Sequence, residues 1–509
     1  MIFCKHDLSS GKHDFNSLES FQVRNSANQA ATAPPAVTQN RTICLIMDCE
    51  VSFNSNYFDA LEKAFKDSNL AAVYTDFEYE SGLNSARSRI RPPNWSPERF
   101  LSNDFLGPVF AIDLALLDES LNYGQRTRTQ LLLSCIPEGL KVKLIDQVGY
   151  VLSPKNFNLN LKSRNSEVTE YLASYRPGSQ VAASSTPWLN ISNSGLAPKT
   201  ISVVIPTRGT KKSIFSKELI ANCIKSMQQQ NLDNSKVEVI VVFDSDSKLK
   251  YLKKLKKLET EKFSISLVSY DPPFNFAKKC NLGAESATGE VVLFLNDDTL
   301  WLDSNALLEL AGSAMIENVG AVGAKLLFEN GCIQHAGYIL REGFVGHAYI
   351  KDIDGFGPFG DLVSTHEVVG VTGACLAQRK EIWESIGKWN EDFPASYNDV
   401  DYCFRIAAAG FSILQVNQAK LKHFESVTRN PKVYPRERKM IEELWGHKFN
   451  EEPFFRMAVT KPEMRNTHGN VLIRYVNYAR ATHRRQGLSG LFGLVINVAR
   501  KSLRAKSES

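Results

Sequence analysis

Two short acidic clusters are the residues in this chain whose types and spacing suit catalysis: Asn296-Asp297-Asp298 and Asn398-Asp399-Val400-Asp401. The first follows directly on the apolar run Val291–Leu295. Carboxylates at a strand end are costly when buried unpaired, but they suit a hard divalent cation. Such a cation can bridge a diphosphate and neutralise charge developing on a leaving group. The plainer reading of the same residues is a turn or a helix cap. The second cluster opens a helical pattern, Tyr402–Ala409, that Gly410 closes. Asn398 is placed to cap that helix, and Asp399 gains from its N-terminus. One of the two carboxylates could instead act as general base toward an incoming hydroxyl. The small-residue turn Val371-Thr372-Gly373-Ala374-Cys375 upstream leaves room for a substrate.

These clusters need a scaffold, and the chain supplies one. Short apolar runs at Ile201–Pro206, Val237–Phe243, Ile265–Tyr270 and Val291–Leu295 alternate with helical patterns at Phe215–Gln230, Lys248–Lys262 and Phe276–Ala287. Alternation of this kind predicts an open α/β sheet with right-handed crossovers. Polar groups follow successive strands: Thr207 and Arg208, then Asp244, Asp271, and Asn296 to Asp298. Ligands in such sheets bind outside the carboxyl ends of the strands, so these residues point to one crevice. The lysine-rich stretch 248–257 carries leucines at near-helical spacing, which makes its lysines a solvated face rather than a nucleic-acid site.

The chain has 509 residues, enough for about three domains at roughly 150 residues each. Its 43% hydrophobic and 23% charged content is that of a soluble globular enzyme. Nine scattered cysteines include no CxxC pair, which argues against a zinc cage or disulfide framework. The N-terminus lacks a signal peptide's apolar core. The apolar run Leu491–Ala499 is far short of the roughly 20 residues that span a bilayer. Export and membrane-spanning classes are thereby excluded. Residues 461–509 hold ten Lys/Arg against two Glu, a net +8, so the preceding 460 residues carry −3 of the total +5. The body has no charge reason to seek nucleic acid. Composition divides the chain into a disordered leader (1–40), a first folded block (41–155), a Ser/Asn/Pro-rich linker (156–198), a second block (199–450) and a basic amphipathic extension (451–509).

The second block resembles glycosyltransferase family 2 of the bacterial surface-polysaccharide type. The likeness is carried in order by Ile205-Pro206-Thr207-Arg208, Phe274-Asn275-Phe276-Ala277, Asn281, Ala287-Thr288-Gly289-Glu290 and Leu295-Asn296-Asp297-Asp298. It continues through Ile333-Gln334-His335-Ala336-Gly337, Gly346-His347-Ala348, Thr372 to Cys375, Asn398 to Asp401, and His423-Phe424-Glu425-Ser426. The resemblance implies a GT-A fold, a Rossmann-like open mixed sheet. It implies a metal-dependent inverting transferase that moves a hexosyl or deoxyhexosyl group from a nucleotide-sugar to a hydroxyl of a glycan or lipid-linked acceptor. Magnesium or manganese would be the cofactor. By position, Thr207, Arg208, Asp244, Asn281 and Asp297 would bind the donor, Asp298 and His423 the metal. Asp399 would be the base, and Gly373, Ala374 and Trp389 would face the acceptor. His335 and His347 are assigned to packing or acceptor binding. Asn296 departs from the family's first Asp, and Ile386 to Glu391 depart from its Gly-Gly-Phe-Asp-Glu stretch.

The first block is similar to the same family but reduced. Ile43 to Glu50, Ala72 to Tyr79 and Pro93 to Ser102 match its segments, while 124–129 lack a carboxylate where the base should lie. The polar leader is expected not to supply the strands that should precede Asp48, so this block reads as a truncated, non-catalytic remnant. Two rivals stand beside the main reading: a nucleotide-sugar-forming nucleotidyltransferase, and a pseudo-transferase that binds glycan or partner enzymes. In the tail, Val471, Leu472, Tyr475, Val476 and Ala479 share one helical face opposite Arg474, Arg480, Arg484 and Arg485. That pattern suits either docking on an anionic membrane surface or packing on the catalytic domain. The expected place is cytoplasmic, and peripheral on the inner membrane if the tail docks.

Overall fold

The computed structural model describes residues 2–7, 19–21, 42–47, 51–80, 87–113, 116, 126–152, 161–209, 219–246, 249–271, 273–341, 343–424 and 434–456. They fall in one compact unit, Met1–Val459; the second unit, Thr460–Ser509, lies outside the described residues and with it the amphipathic tail.

The N-terminal part is a mixed sheet. Its strands are β1 (Ile2–Asp7), β2 (Glu19–Phe21), β3 (Thr42–Met47), β4 (Val51–Phe53), β5 (Leu70–Glu80), β6 (Arg87–Ile90), β7 (Val109–Asp113) and β8 (Lys141–Leu152). Helices α1 (Tyr57–Ala64), α2 (Pro97–Ser102) and α3 (Arg128–Leu133) cover it. The order is β2-β1-β3-β7-β5-β8-β4, with β6 on β5. Thus β1 runs parallel to β3, and the leader supplies strands after all. Run composition missed them because β1 is short and half polar.

The expected linker is also structured. It forms α4 (Leu161–Tyr175), β9 (Gln180–Ala182) and β10 (Asn190–Ser192). Val168 and Leu172, four residues apart on one helical face, are buried in the first block's core. Its polar residues serve as hydrogen-bond partners: Asn193 donates its N–H to Glu309, and Ser192 its hydroxyl to the same carboxylate.

The second sheet contains β11 (Thr200–Thr207), β12 (Lys236–Asp244), β13 (Phe263–Tyr270), β14 (Val291–Leu295), β15 (Thr299–Trp301), β16 (Val319–Leu327), β17 (Ile333–His335), β20 (His366–Glu367), β21 (Cys375–Arg379) and β22 (Ser412–His423). A separate hairpin is made of β18 (Tyr338–Arg341) and β19 (Phe344–His347). The path is β13-β12-β11-β14-β21-β16-β22-β15, with the four strands read from sequence lying parallel side by side. Helices α5 (Leu219–Met227), α6 (Leu249–Lys256) and α8 (Ala306–Ala314) bury apolar residues on one face. The other face takes α7 (Phe276–Glu285), α9 (Lys380–Ser385) and α10 (Asn398–Ala408). A last helix, α11 (Pro435–Trp445), packs with the hairpin and α10. This is the α/β mixed sheet expected of the GT-A fold.

The two sheets repeat one plan. The series β1-β3-β7-β5-β8-β4 has the same sequence of parallel and antiparallel pairings as β11-β14-β21-β16-β22-β15. What the first lacks, among the described residues, is a parallel pair matching β12 and β13; β2 there runs antiparallel. The first sheet thus keeps the leading strand β1 of the shared plan and ends in the antiparallel β2 beyond it.

Candidate active site

Each acidic residue sits where a strand or helix ends. Pairing with neighbouring strands, parallel for Thr207 and Asp244 and antiparallel for Leu295, runs up to these residues, so the polar groups at and after the strand ends lie at the crevice. Thr207 donates its hydroxyl to Asp297 at 2.5 Å and accepts the Gly209 N–H at 2.9 Å. Burial, and then the charge of Asp298, push the Asp297 carboxyl up to about 7. Arg208 lies 3.4 Å from Asp244 and is largely exposed, free to meet a ligand.

Beneath them lies a residue the sequence reading missed. Lys279 on α7 has a side chain 0% exposed; its ammonium pairs with Asp244 and donates to the Thr207 carbonyl at 2.9 Å. Burial pulls its pKa down while Asp244 pulls it up, with the net shift downward. One lysine thus ties the ends of β11 and β12 together. The available signal was a Lys on the apolar face of a helix, beside Ala277 and Cys280.

The register Thr299↔His423 delivers His423 to the end of β22, opposite the first acidic cluster. Its Nδ1 meets the Gln334 side-chain oxygen at 2.8 Å, so in a neutral ring that nitrogen is the donor. Its Nε2 then presents a lone pair 3.2 Å from the Asn296 amide and 3.1 Å from Asp298 Oδ1. Two acceptors, Nε2 and Oδ1, at that separation require a proton or a cation between them. Two ligands at right angles on a metal with bonds of about 2.1 Å lie about 3 Å apart, so the pair fits a small divalent ion. Among the described residues there is no group of three or more His, Cys, Asp or Glu that could hold a metal alone. Asp298 and His423 would therefore share the ion with donor oxygens and water.

The second cluster separates into two tasks. Asp401 is spent on structure: Arg405 bonds it at 2.9 Å and the Trp445 indole at 3.0 Å. Asp399, half-buried, points to the turn before β21. Its Oδ2 accepts from Tyr338 O–H at 2.8 Å, Thr372 O–H at 3.2 Å and Gly373 N–H at 2.9 Å, while Oδ1, among the described residues, accepts only Val400 N–H at 2.9 Å. Asn398 is not the cap; Tyr397 holds that place in a left-handed conformation (φ 59°). The Ala374 carbonyl in turn accepts the Asn296 N–H at 2.9 Å. The dipeptide Gly373-Ala374 therefore stitches Asp399 to the first acidic cluster.

Three expected contacts take other roles. Asn281 spends both ends of its amide on the Trp389 backbone, accepting its N–H and donating to its carbonyl, both at 2.9 Å. Trp389 is 2% exposed and stacks on Tyr402 at 4.6 Å, so it is core rather than an acceptor platform. It underlies Gly373, where an added Cβ would meet the indole at 3.1 Å. Ala374 is buried, and its backbone is what it contributes. His335 accepts the Thr372 N–H at 3.2 Å and meets His347 Nδ1 to Nδ1 at 2.7 Å, an arrangement that supports the same turn. Asp271 has no bond into this crevice among the described contacts.

Two register-matched places in the first sheet carry other residues. Val51 pairs with Leu152 as Thr299 pairs with His423, so an apolar residue replaces the imidazole. Gly107 stands two residues before β7 as Gly373 stands before β21. There Arg128, from the start of α3, donates to the Gly107 carbonyl and pairs with Asp104 at 2.5 Å. A guanidinium thus occupies the neighbourhood that Asp399 fills in the second sheet. Asp48, Cys49 and Glu50 lie outside the described residues.

Residues 202–387 match the family described as glycosyl transferase family 2, a span that ends before Asp399 and His423. The chain is 29% identical over 399 residues to the O-antigen biosynthesis protein RfbC of Myxococcus xanthus, covering 72% of this chain and 29% of that protein. It is 29% identical over 248 residues to the uncharacterized protein y4gI of Sinorhizobium fredii, covering 47% of this chain and 26% of that one. The chain thus spans under a third of the length of these curated relatives. Among solved structures it is similar to GalNAc-T7 with UDP, GalNAc and Mn²⁺ (13% identity, TM-score 0.41, 50% of this chain and 49% of that chain). It is also similar to the mannosyltransferase PcManGT of Pyrobaculum calidifontis with GDP-Man and Mn²⁺ (16%, 0.35, 63% and 79%). The family match falls within the second domain of this chain.

Proposed function

We propose that the second domain is a family 2 glycosyltransferase, a metal-dependent, inverting enzyme acting on a nucleotide-sugar donor and a hydroxyl acceptor in surface-polysaccharide assembly. The observation that carries the reading is the stitched pair of acidic clusters: Asn296 N–H to the Ala374 carbonyl, and Asp399 to the Gly373 N–H. They put a cation-suited pair and a carboxylate with a spare oxygen on either side of two small residues.

Asp298 and His423 would hold the ion, Mg²⁺ or Mn²⁺, which supplies charge neutralisation for a diphosphate when bound. Arg208, Asp244 and Thr207 line the donor side. Asp297, partly protonated near neutral pH, can give up its proton as positive charge arrives. Asp399 Oδ2 is saturated by three donors, which fixes the carboxylate and leaves Oδ1 to take the acceptor hydroxyl's proton. The hydroxyl oxygen then forms its bond to the anomeric carbon as the bond to the donor phosphate breaks. A single displacement of this kind inverts the centre and needs no covalent intermediate on the protein.

A thermal-shift panel of nucleoside diphosphates, with and without Mg²⁺ or Mn²⁺, tests the reading. Binding adds RT ln(1 + [L]/Kd) of stability, so a donor nucleotide should raise Tm in a metal-dependent way that Asp298→Ala abolishes. Equal shifts in that variant would remove the metal assignment.

A further inference from the structure

The segment 451–456 follows the last helix and runs between the two sheets' domains. At one end, Glu452 takes the Leu340 N–H on its Oε2 at 2.6 Å and the Phe454 and Phe455 N–H groups on its Oε1 at 2.8 Å each. Leu340 is two residues from Tyr338 on the same strand, and Tyr338 donates to Asp399. At the other end, Arg456 is anchored in the first domain. Its Nη1 donates to Asp76 at 2.8 Å and to the Pro92 carbonyl at 2.9 Å, and its Nη2 to Asp146 at 2.7 Å. Asp76 is 0% exposed, and Asn94 adds a bond to the Pro453 carbonyl at 2.5 Å.

We infer that Arg456 is a positioning residue: through it the reduced first domain braces the Tyr338–His347 hairpin, and thereby holds the proton-accepting carboxylate in register. The inference rests on the reading of Asp399 given above. It assigns the first copy a task that needs no chemistry of its own. A guanidinium on two carboxylates and a carbonyl is a directional anchor, and Arg89 and Arg91 hold the same two carboxylates in place. The path from Arg456 to Asp399 crosses one glutamate, one backbone N–H and one tyrosine. Its hydrogen bonds are those of Glu452 to the Phe454, Phe455 and Leu340 N–H groups and of Tyr338 to Asp399; the backbone of 455–456 and of the strand Tyr338–Arg341 joins them.

Hydrogen exchange on the full chain reads the brace directly. In Arg456→Ala, exchange in the peptide 338–347 should rise about tenfold, while that in 291–301 stays as in the native chain. At saturating donor, kcat should fall about tenfold with the metal-dependent nucleotide shift retained, and Arg456→Lys should recover most of the loss. Tyr338→Phe should lower kcat as well, and adding Arg456→Ala to it should cost little more, because both act on one path. Unchanged exchange in the hairpin overturns the brace, as does full additivity of the two substitutions. Should Arg456→Ala not fold, Arg456→Gln and Asn94→Ala, each expected to raise exchange in 338–347, are read by the same measurement. If the native chain transfers no sugar, the functional reading fails on its own, and exchange alone decides the brace.

Discussion

Replacing Asp399 by Asn removes the proposed proton acceptor while keeping the shape of the side chain. The carboxamide has one acceptor oxygen and one donor nitrogen. The oxygen must take the Oδ2 place, because three donors converge there: Tyr338 O–H, Thr372 O–H and Gly373 N–H. The nitrogen then faces the Val400 N–H, and one 2.9 Å bond becomes a donor meeting a donor. Losing that bond at a partly buried position costs about 1–3 kcal/mol of stability. In a unit of this size, Tm should drop by no more than about 4 °C per kcal/mol. Donor binding, made on the far side of Gly373-Ala374, should change little. Turnover should fall by about 10²–10⁴, equivalent to about 2.7–5.4 kcal/mol in the barrier. The assay is product formation at saturating donor and acceptor, paired with the metal-dependent nucleotide Tm shift. Turnover within tenfold of the native enzyme would refute the assignment; joint loss of turnover and nucleotide binding would make Asp399 a structural support.

Three further outcomes are expected. Lys279→Met leaves Asp244 buried beside a thioether and should destabilise the chain by about 3–5 kcal/mol, measured by urea unfolding; a loss below about 1 kcal/mol would show that Asp244 does not depend on it. Asp297 holds its proton to about 7 when folded and to near 3.8 when unfolded. The native state therefore binds more protons across that window, and its stability contribution, full below 3.8, is lost as pH rises through 7. A divalent cation competes with that proton, so the Mn²⁺-dependent Tm shift should be larger at pH 8 than at pH 6, and a flat or reversed trend would disprove the coupling. The full chain should co-sediment with anionic vesicles at low salt and be released at high salt, whereas a chain ending at residue 459 should remain in the supernatant and keep donor turnover.

Period and punctuation made the strand array legible in the sequence. Val291–Leu295 was read to the residue, and the other three parallel strands differ from their reading by one or two positions at the ends. Asp298, His423 and Asp399 stood out as candidates because each closes or opens a regular element. Asn281 and Trp389 were misassigned for one reason: an amide that fits a nucleotide fits a bent backbone equally well, and only coordinates show which it holds. Lys279 escaped because burial of a lysine depends on a carboxylate more than thirty residues away. The linker hid a helix, since its many polar side chains mask the spacing of Val168 and Leu172.

The repeated sheet plan has a consequence for how the chain reaches its native state. Two copies of one strand order in one polypeptide offer each other plausible wrong partners, and exchange between tandem copies is a typical failure of repeated domains. Synthesis separates them in time. Every described strand of the first copy lies within residues 2–152, and the second begins at Thr200. At about 5–20 residues per second, roughly 2–10 s pass between the two, far longer than small-domain collapse takes. The ribosome therefore lets the first sheet close before its competitor strands exist. A chain refolded from denaturant has no such interval, so its recovery should be poorer and more concentration-dependent than its yield from synthesis.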